Sequence, residues 1–311
     1  MLGAMEAIFL TMITGEFIMG ILGNGFIGLV NLIDWVKKKK ICLLDLILTS
    51  LAISRIGILF LMLLNSFLLL LYPEAFAYNN ILKIMNSFWT IANQLSIWFA
   101  TCLSIFYCLK IASFSHPLFL WLKWRIKRVI LIILLASLLI SVLISLLITE
   151  PSNNEDVKNL GRRESKRNNT NNSAYFNILT FLNLGTLFPF TVSLISCFLL
   201  IVSVWKHTRK MKLNAMDARD PRTEIHFRAM KAVISFLILF LIYCLAFLIV
   251  ASNCFLQQSE LATIFSVIIA AIYPSGHSFI LILGNIKLRQ RSLTSLKQMK
   301  CCLKGGISTG P

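Results

Sequence analysis

Seven stretches of this chain are long and apolar enough to cross a lipid bilayer, and that leaves few folds open to it. A hydrocarbon core of about 30 Å is crossed by about 20 residues of helix. The stretches fall at 7–33, 44–72, 82–110, 127–149, 177–205, 229–253 and 261–285, here called spans one to seven. Lipid offers the backbone no hydrogen-bond partners, so each span must satisfy its own amides as a helix. Composition agrees. The chain is 57% hydrophobic with a mean hydropathy of +0.79, against about 45–50% apolar for a soluble domain. Only 14% of residues are charged, and they lie in blocks between the spans. The expected fold is an all-α, seven-helix membrane bundle at 1–285, followed by a basic tail at 286–311.

The charge of +17 raises nucleic acid as a partner, but its distribution argues against that class. The basic residues crowd short connections, where they act as topology signals. Lys37-Lys38-Lys39-Lys40 follows span one directly, which sets the N-terminus outside. Segments 34–40, 110–128, 206–231 and 286–304 then fall inside, with 4, 5, 8 and 6 Lys or Arg residues. The outer segments carry Lys83 and five more in the 150–176 loop (Lys158, Arg162, Arg163, Lys166 and Arg167). No basic residue precedes span one and no A-x-A site follows it, so it reads as a retained helix and not a cleaved signal.

The outer 150–176 loop holds two N-x-[ST] triplets, at Asn168 and Asn171, expected as glycosylation acceptors on that side. The tail from Ile286 is basic and amphipathic. It reads as a short helix on the inner leaflet, with Leu288, Leu293 and Leu296 toward lipid and Lys287, Arg289, Arg291 and Lys297 toward phosphates. Cys301-Cys302 beside it suit palmitoylation or stay reduced thiols. Cys102, Cys108, Cys197 and Cys244 lie within spans as small hydrophobes, so no structural disulfide is expected. No Cys or His spacing suggests a metal, and no cofactor is expected.

Catalytic constellations are missing from the sequence: no HExxH, GxSxG, P-loop or GxGxxG occurs, and no span carries a pair of acids. Transporters and channels line their pathways with ionisable residues. Here the clear intramembrane charges are Glu16 and Arg55. The pattern suits a ligand-gated conformational switch. A small polytopic transporter or channel is the alternative of a different class, marked by substrate-dependent current without a G protein. Arg55, deep in span two, costs about 2.5–3.5 kcal/mol on insertion scales unless it finds partners. A polar knot of Arg55 with Asn24 and a serine or carbonyl near Ser275 and Ser278 is expected; simple snorkelling is the competing reading. In span three, Trp89 and Asn93 share a helix face at i, i+4, with Gln94 beside them. An aromatic next to an amide suits a small-molecule pocket, and suits helix packing as well.

Several strings resemble the type 2, or bitter, taste receptors. They are LGNGFIGLVNLIDWV (22–36), LILTSLAISR (46–55), FATCLSIFYCLKIASFSHPLFLWLKWRI (99–126), PFTVSLISCFLLIVSVWKHTRKM (189–211), HFRAMKAVISFL (226–237) and YPSGHSFILILGNIKLRQ (273–290). They cover nearly the whole chain in order. FYCLK (106–110) and HSFILILGN (277–285) stand where rhodopsin-like receptors carry E/DRY and NPxxY, as in this family. A vomeronasal-type or other chemosensory receptor is the nearest alternative, and the 99–126 and 273–290 strings speak against it.

The resemblance implies a plasma-membrane G-protein-coupled receptor for small bitter agonists, acting through a gustducin-type heterotrimer, phospholipase C and calcium. It places Trp89 and Asn93 at ligand-contact positions; Gln94 departs from the His of some relatives. By analogy Phe181, Gly185, Phe240, Tyr243, Phe247, Val267 and Ala270 face the pocket. With no acid at 270 or in span three, neutral or mildly polar agonists are expected. Tyr107, Lys110, His207, Lys210, His226 and Lys231 are the expected G-protein-facing residues.

Overall fold

The computed structural model describes residues 4–40, 42–71, 79–112, 114–149, 186–206, 209, 221–256 and 260–307. These form nine helices: α1 Ala4–Lys38, α2 Leu43–Leu71, α3 Asn79–Ile111, α4 Pro117–Trp124, α5 Ile126–Thr149, α6 Thr186–Lys206, α7 Pro221–Leu256, α8 Glu260–Gly284 and α9 Ile286–Ile307. Six of them have the length and apolarity of a membrane crossing, and α7 carries a shorter apolar stretch, Met230–Ala246. Spans one to seven are therefore α1, α2, α3, α5, α6, α7 and α8. The molecule is a seven-helix membrane bundle. The outer loop with Asn168 and Asn171 lies outside the described residues, as do Phe181, Gly185, His207 and Lys210.

Side chains are sorted as lipid demands. Outward positions such as Leu22, Leu29, Ile132, Leu135 and Leu139 are large, apolar and exposed. The interior holds the polar groups: Asn24, Arg55, Asn93, Gln94, Thr101, Ser104, His277 and Ser278 are all buried. Burying polar groups inside and exposing leucines outside is viable only where the surroundings are hydrocarbon. Around the bundle, α1 packs on α2 and α8, α2 on α3, α3 on α5, and α7 on α8. Gly20 and Gly23 let α1 close on its neighbours, since a Cβ at Gly20 would strike Leu59 and one at Gly23 would strike Ser278. Between α3 and α6, Ser193 Oγ donates to Thr101 Oγ1 (3.0 Å), and the Thr101 hydroxyl lies 3.2 Å from the Pro189 carbonyl.

Three local features depart from the sequence reading. Span one runs on to Lys38, because lysines favour the negative end of the helix dipole. The helix stops at Lys39, whose φ of 49° lets its N–H donate to the Trp35 carbonyl at 2.8 Å. A short helix, α4, lies in the second inner connection. It starts where the His116 ring accepts from Leu118 N–H and Pro117 takes the first position. In the tail, Leu288 does not face lipid. It is fully buried in the main core with Leu281 and Ile282, while Leu293 and Leu296 are exposed. Lys287 and Arg291 are engaged by acids of the bundle and not left for lipid phosphates.

Candidate functional site

A cluster of aromatic rings fills the interior between α3, α6, α7 and α8. Phe240 is its hub, with ring centroids 5.3 Å from Phe190, 5.8 Å from Phe236, 5.9 Å from Tyr273 and 6.1 Å from Tyr243. Positions 236, 240 and 243 stack along one face of α7 at i, i+4, i+7, so a single helix presents three rings in a column. Tyr273 of α8 completes the cluster, 5.2 Å from Tyr243. Tyr243 Oη donates to Asn93 Oδ1 at 2.8 Å, a buried bond that ties α7 to α3. Beside it Gln94 is 1% exposed, and its Nε2 has no hydrogen-bond partner among the described residues. Ala270 packs against the same core.

Asn93, Phe240 and Tyr243 are thus brought together, Ala270 belongs to the same core, and Gln94 is buried next to Asn93 along α3. Trp89 is half-buried one turn outward of Asn93 on α3. Val267 lies elsewhere. It packs with Ile264 against Phe9, Ile13, Ile268 and Ala271, on the flank facing α1 and α2. Phe247 sits on α7, but its side chain is outside the described residues.

The aromatic cluster continues inward to a buried arginine–histidine pair. Arg55 is fully buried, and its Nη2 donates to His277 Nδ1 at 2.6 Å. An arginine always donates, so Nδ1 must be the bare nitrogen of a neutral ring. The Arg55 guanidinium carbon also lies 5.2 Å from the Tyr273 ring centroid, and the His277 ring stacks on Phe236 at 5.6 Å. Asn24 Nδ2 donates to the Pro274 carbonyl at 3.0 Å. The carbonyl of span seven is therefore Asn24's partner, whereas Ser275 and Ser278 turn back to Ala271 and Ser275 carbonyls of their own helix. His277 was not singled out in the sequence. Its position one turn after Tyr273, at the depth of Arg55, is the signal that points to it.

A second polar cluster lies at the inner rim. Lys287 Nζ sits 3.0 Å from Asp34 Oδ2, 3.0 Å from Asp45 Oδ2 and 3.0 Å from Asn31 Oδ1. Arg291 Nη2 adds a bond of 3.2 Å to Asp34 Oδ1. Burial works against the Lys287 ammonium, but hydrogen bonds to Asp45 and Asp34 outweigh it and hold its pKa above the ordinary lysine value. Sequence reasoning missed this clamp because its members come from three distant segments. Further along the inner face, Tyr107 is half-buried, Lys110 is exposed with its Nζ 5.3 Å from the Phe106 ring centroid, and Lys231 is exposed. The His226 side chain is outside the described residues. Among the described residues no His, Cys, Asp or Glu group has the geometry to hold a metal ion.

Comparison with known proteins gives a consistent result. Residues 1–300 match the family model described as taste receptor protein (TAS2R). The chain is 54% identical over 296 residues to taste receptor type 2 member 7 of Macaca mulatta, covering 94% of this chain and 93% of the relative. It is 53% identical to the protein of that name from Pan troglodytes (94% and 92% covered) and 48% identical to the one from Mus musculus (94% and 95%).

Proposed function

The chain belongs to the taste receptor protein (TAS2R) family of seven-helix membrane proteins; it is a bitter taste receptor coupled to G proteins and not an enzyme, and from that premise we propose how its interior works. A small bitter agonist enters from the outer side and seats against Trp89, Asn93, Gln94, Phe240, Tyr243 and Ala270, with Phe181, Gly185 and Phe247 contributing around it, while Val267 stays on the α1 flank. The observation that carries this reading is the buried Tyr243–Asn93 bond, with Gln94 next along α3 and its Nε2 without a partner among the described residues. It puts a donor and an acceptor in an aromatic, water-poor interior, the composition that fixes a small polar ligand. No acid is buried in that cluster among the described residues, so neutral or mildly polar compounds suit it better than strong cations.

Coupling follows from packing. An agonist shifts the receptor only as far as it binds the active arrangement better than the resting one. Displacing Tyr243 or Phe240 shifts Tyr273 and Phe236, and these touch Arg55 and His277. The inner ends of α6, α7 and α8 then rearrange, and a gustducin-type heterotrimer docks near Tyr107, Lys110, His207, Lys210, His226 and Lys231. The response is phospholipase C activation and calcium release at the plasma membrane. Glycosylation at Asn168 or Asn171 marks the outer loop. Tail palmitoylation at Cys301 or Cys302 belongs to the same reading; the Cys301 thiol is free and exposed.

The test is calcium recording in cells that co-express the chain with a gustducin-type G protein, against a bitter panel. Wild type is expected to respond, with neutral agonists dominating, and Trp89→Ala is expected to lose sensitivity at equal surface level. Responses led by strong cations would overturn the neutral-ligand reading. An unchanged Trp89→Ala would move the site away from α3.

A further inference from the structure

Helix α4 presents an outward face that water does not tolerate. At 3.6 residues per turn its eight residues divide into two arcs. The inward arc holds Phe119, Leu122 and Lys123. Phe119 is buried against Cys108, Leu109 and Ala112, with its ring edge-on to Phe114 at 5.3 Å. Lys123 Nζ donates to the Ala112 carbonyl at 3.0 Å, so even this lysine is turned toward the protein. The opposite arc is Leu118, Leu120, Trp121 and Trp124, which are 67%, 51%, 51% and 83% exposed. No polar side chain interrupts it. Arg125 closes the helix through its N–H to the Trp121 carbonyl (3.1 Å). Its guanidinium carbon lies 5.4 Å from the Trp121 ring centroid and 5.9 Å from that of Trp124.

We propose that α4 lies in the inner headgroup layer, with its Leu and Trp arc sunk to the acyl boundary and Arg125, Lys127 and Arg128 holding the phosphate of an acidic phospholipid. Three observations support lipid as the occupant. The arc leads directly along the chain into a membrane-crossing helix: α5 begins at Ile126 and leaves Leu131, Ile132 and Leu135 exposed, as a lipid-facing side requires. Indole rings favour the membrane–water boundary, where one end is apolar and the other wet. The charge is also complementary, because Arg125, Lys127 and Arg128 are basic and the inner leaflet is anionic. A lipid held there would fix the second inner connection and, through Phe119 and Lys123, the inner end of α3. The inference needs only the membrane topology and is independent of the agonist site.

The experiment uses the full-length receptor in nanodiscs of phosphatidylcholine, with or without phosphatidylserine, whose acyl chains are brominated near the headgroup. Tryptophan emission is compared between wild type and the Trp121→Phe, Trp124→Phe variant, which keeps aromatic volume. The emission of the two indoles, taken as the difference, is expected to fall about twofold in brominated lipid and to resist aqueous iodide. If the double variant does not fold, Trp124→Phe alone gives the same comparison at an exposed position. Neutralising Arg125, Lys127 and Arg128 to Gln is expected to abolish any difference between discs with and without phosphatidylserine. Indoles quenched by iodide and untouched by bromine would overturn the proposal. So would shielding that appears only when a heterotrimeric G protein is added, which would make the face a protein dock. Identical behaviour of wild type in both lipid mixtures would overturn the acidic-lipid assignment.

Discussion

The receptor carries two clusters of charged and polar groups that solve opposite problems. At mid-membrane, Arg55 is 0% exposed and makes one side-chain hydrogen bond, to His277, while its Nε and Nη1 make none among the described residues. At the inner rim, Lys287 has a side chain 28% exposed and three oxygen partners, and Arg291 duplicates part of its work on Asp34. The first cluster is dry and holds its guanidinium by one hydrogen bond and the face of the Tyr273 ring. The second is wetter and redundant. Removing the single hydrogen-bond partner of a buried group leaves it uncompensated, whereas loss of one member of a shared, partly exposed cluster leaves the others still paired. The mid-membrane pair is therefore expected to govern integrity and switching, and the rim clamp to trim the seating of the tail helix.

The largest expected effect is His277→Leu, which takes the hydrogen-bond partner from the buried Arg55 guanidinium at a cost of about 3 kcal/mol or more, the upper end for a charged donor. Surface expression and thermal melting in detergent should both drop sharply. Arg55→Leu alone should be milder, and the double variant should recover part of the loss, giving a coupling energy of about 1–3 kcal/mol. Strict additivity in that cycle would break the account of the pair. Next comes Gly23→Ala, whose new Cβ meets Ser278 and should cost about 1–3 kcal/mol by overpacking, with relief from Ser278→Gly. Tyr243→Phe removes the bond to Asn93 and leaves a buried acceptor, worth about 1–3 kcal/mol, read as a shift in agonist potency or in basal activity.

Lys287→Met should cost least, about 1 kcal/mol or below, with a dependence on salt that His277→Leu lacks. The pH dependence has a definite sign. Because partners raise the Lys287 pKa above 10.5, its contribution is complete below that value and fades only as pH climbs through the raised one. Melting temperatures measured between pH 6 and 8 should show no change from this group. A rim variant that damaged the receptor as much as His277→Leu would erase the distinction between the two clusters.

How each part could be read from sequence follows from its range along the chain. The helical spans were legible because lipid imposes a local rule, a run of about 20 apolar residues that no packing detail can override. That Asn93 and Trp89 share a face of α3 was legible for the same reason, since a helix fixes which neighbours lie together. Arg55 could be identified as needing a partner, but not matched to His277, which lies 222 positions away. In sequence Lys287 is assigned to lipid phosphates and Asp34 and Asp45 draw no expectation, because only folding sets these three helix ends side by side. Leu288 illustrates the converse error. Amphipathic spacing assigned it to lipid, yet the tail helix turns that residue into the bundle core. Helix α4 escaped notice because eight residues hold too few repeats for periodicity, and its real signals are the His116 cap and Pro117.

The measurement that bears most directly on the whole account is an agonist dose–response in cells expressing the receptor and its G protein, comparing Asn93→Ala with Lys287→Met at matched surface level. The account predicts a potency loss of about tenfold or more for Asn93→Ala, about 1.4 kcal/mol, and wild-type potency for Lys287→Met. Equal shifts in both variants, or none in Asn93→Ala, would contradict it.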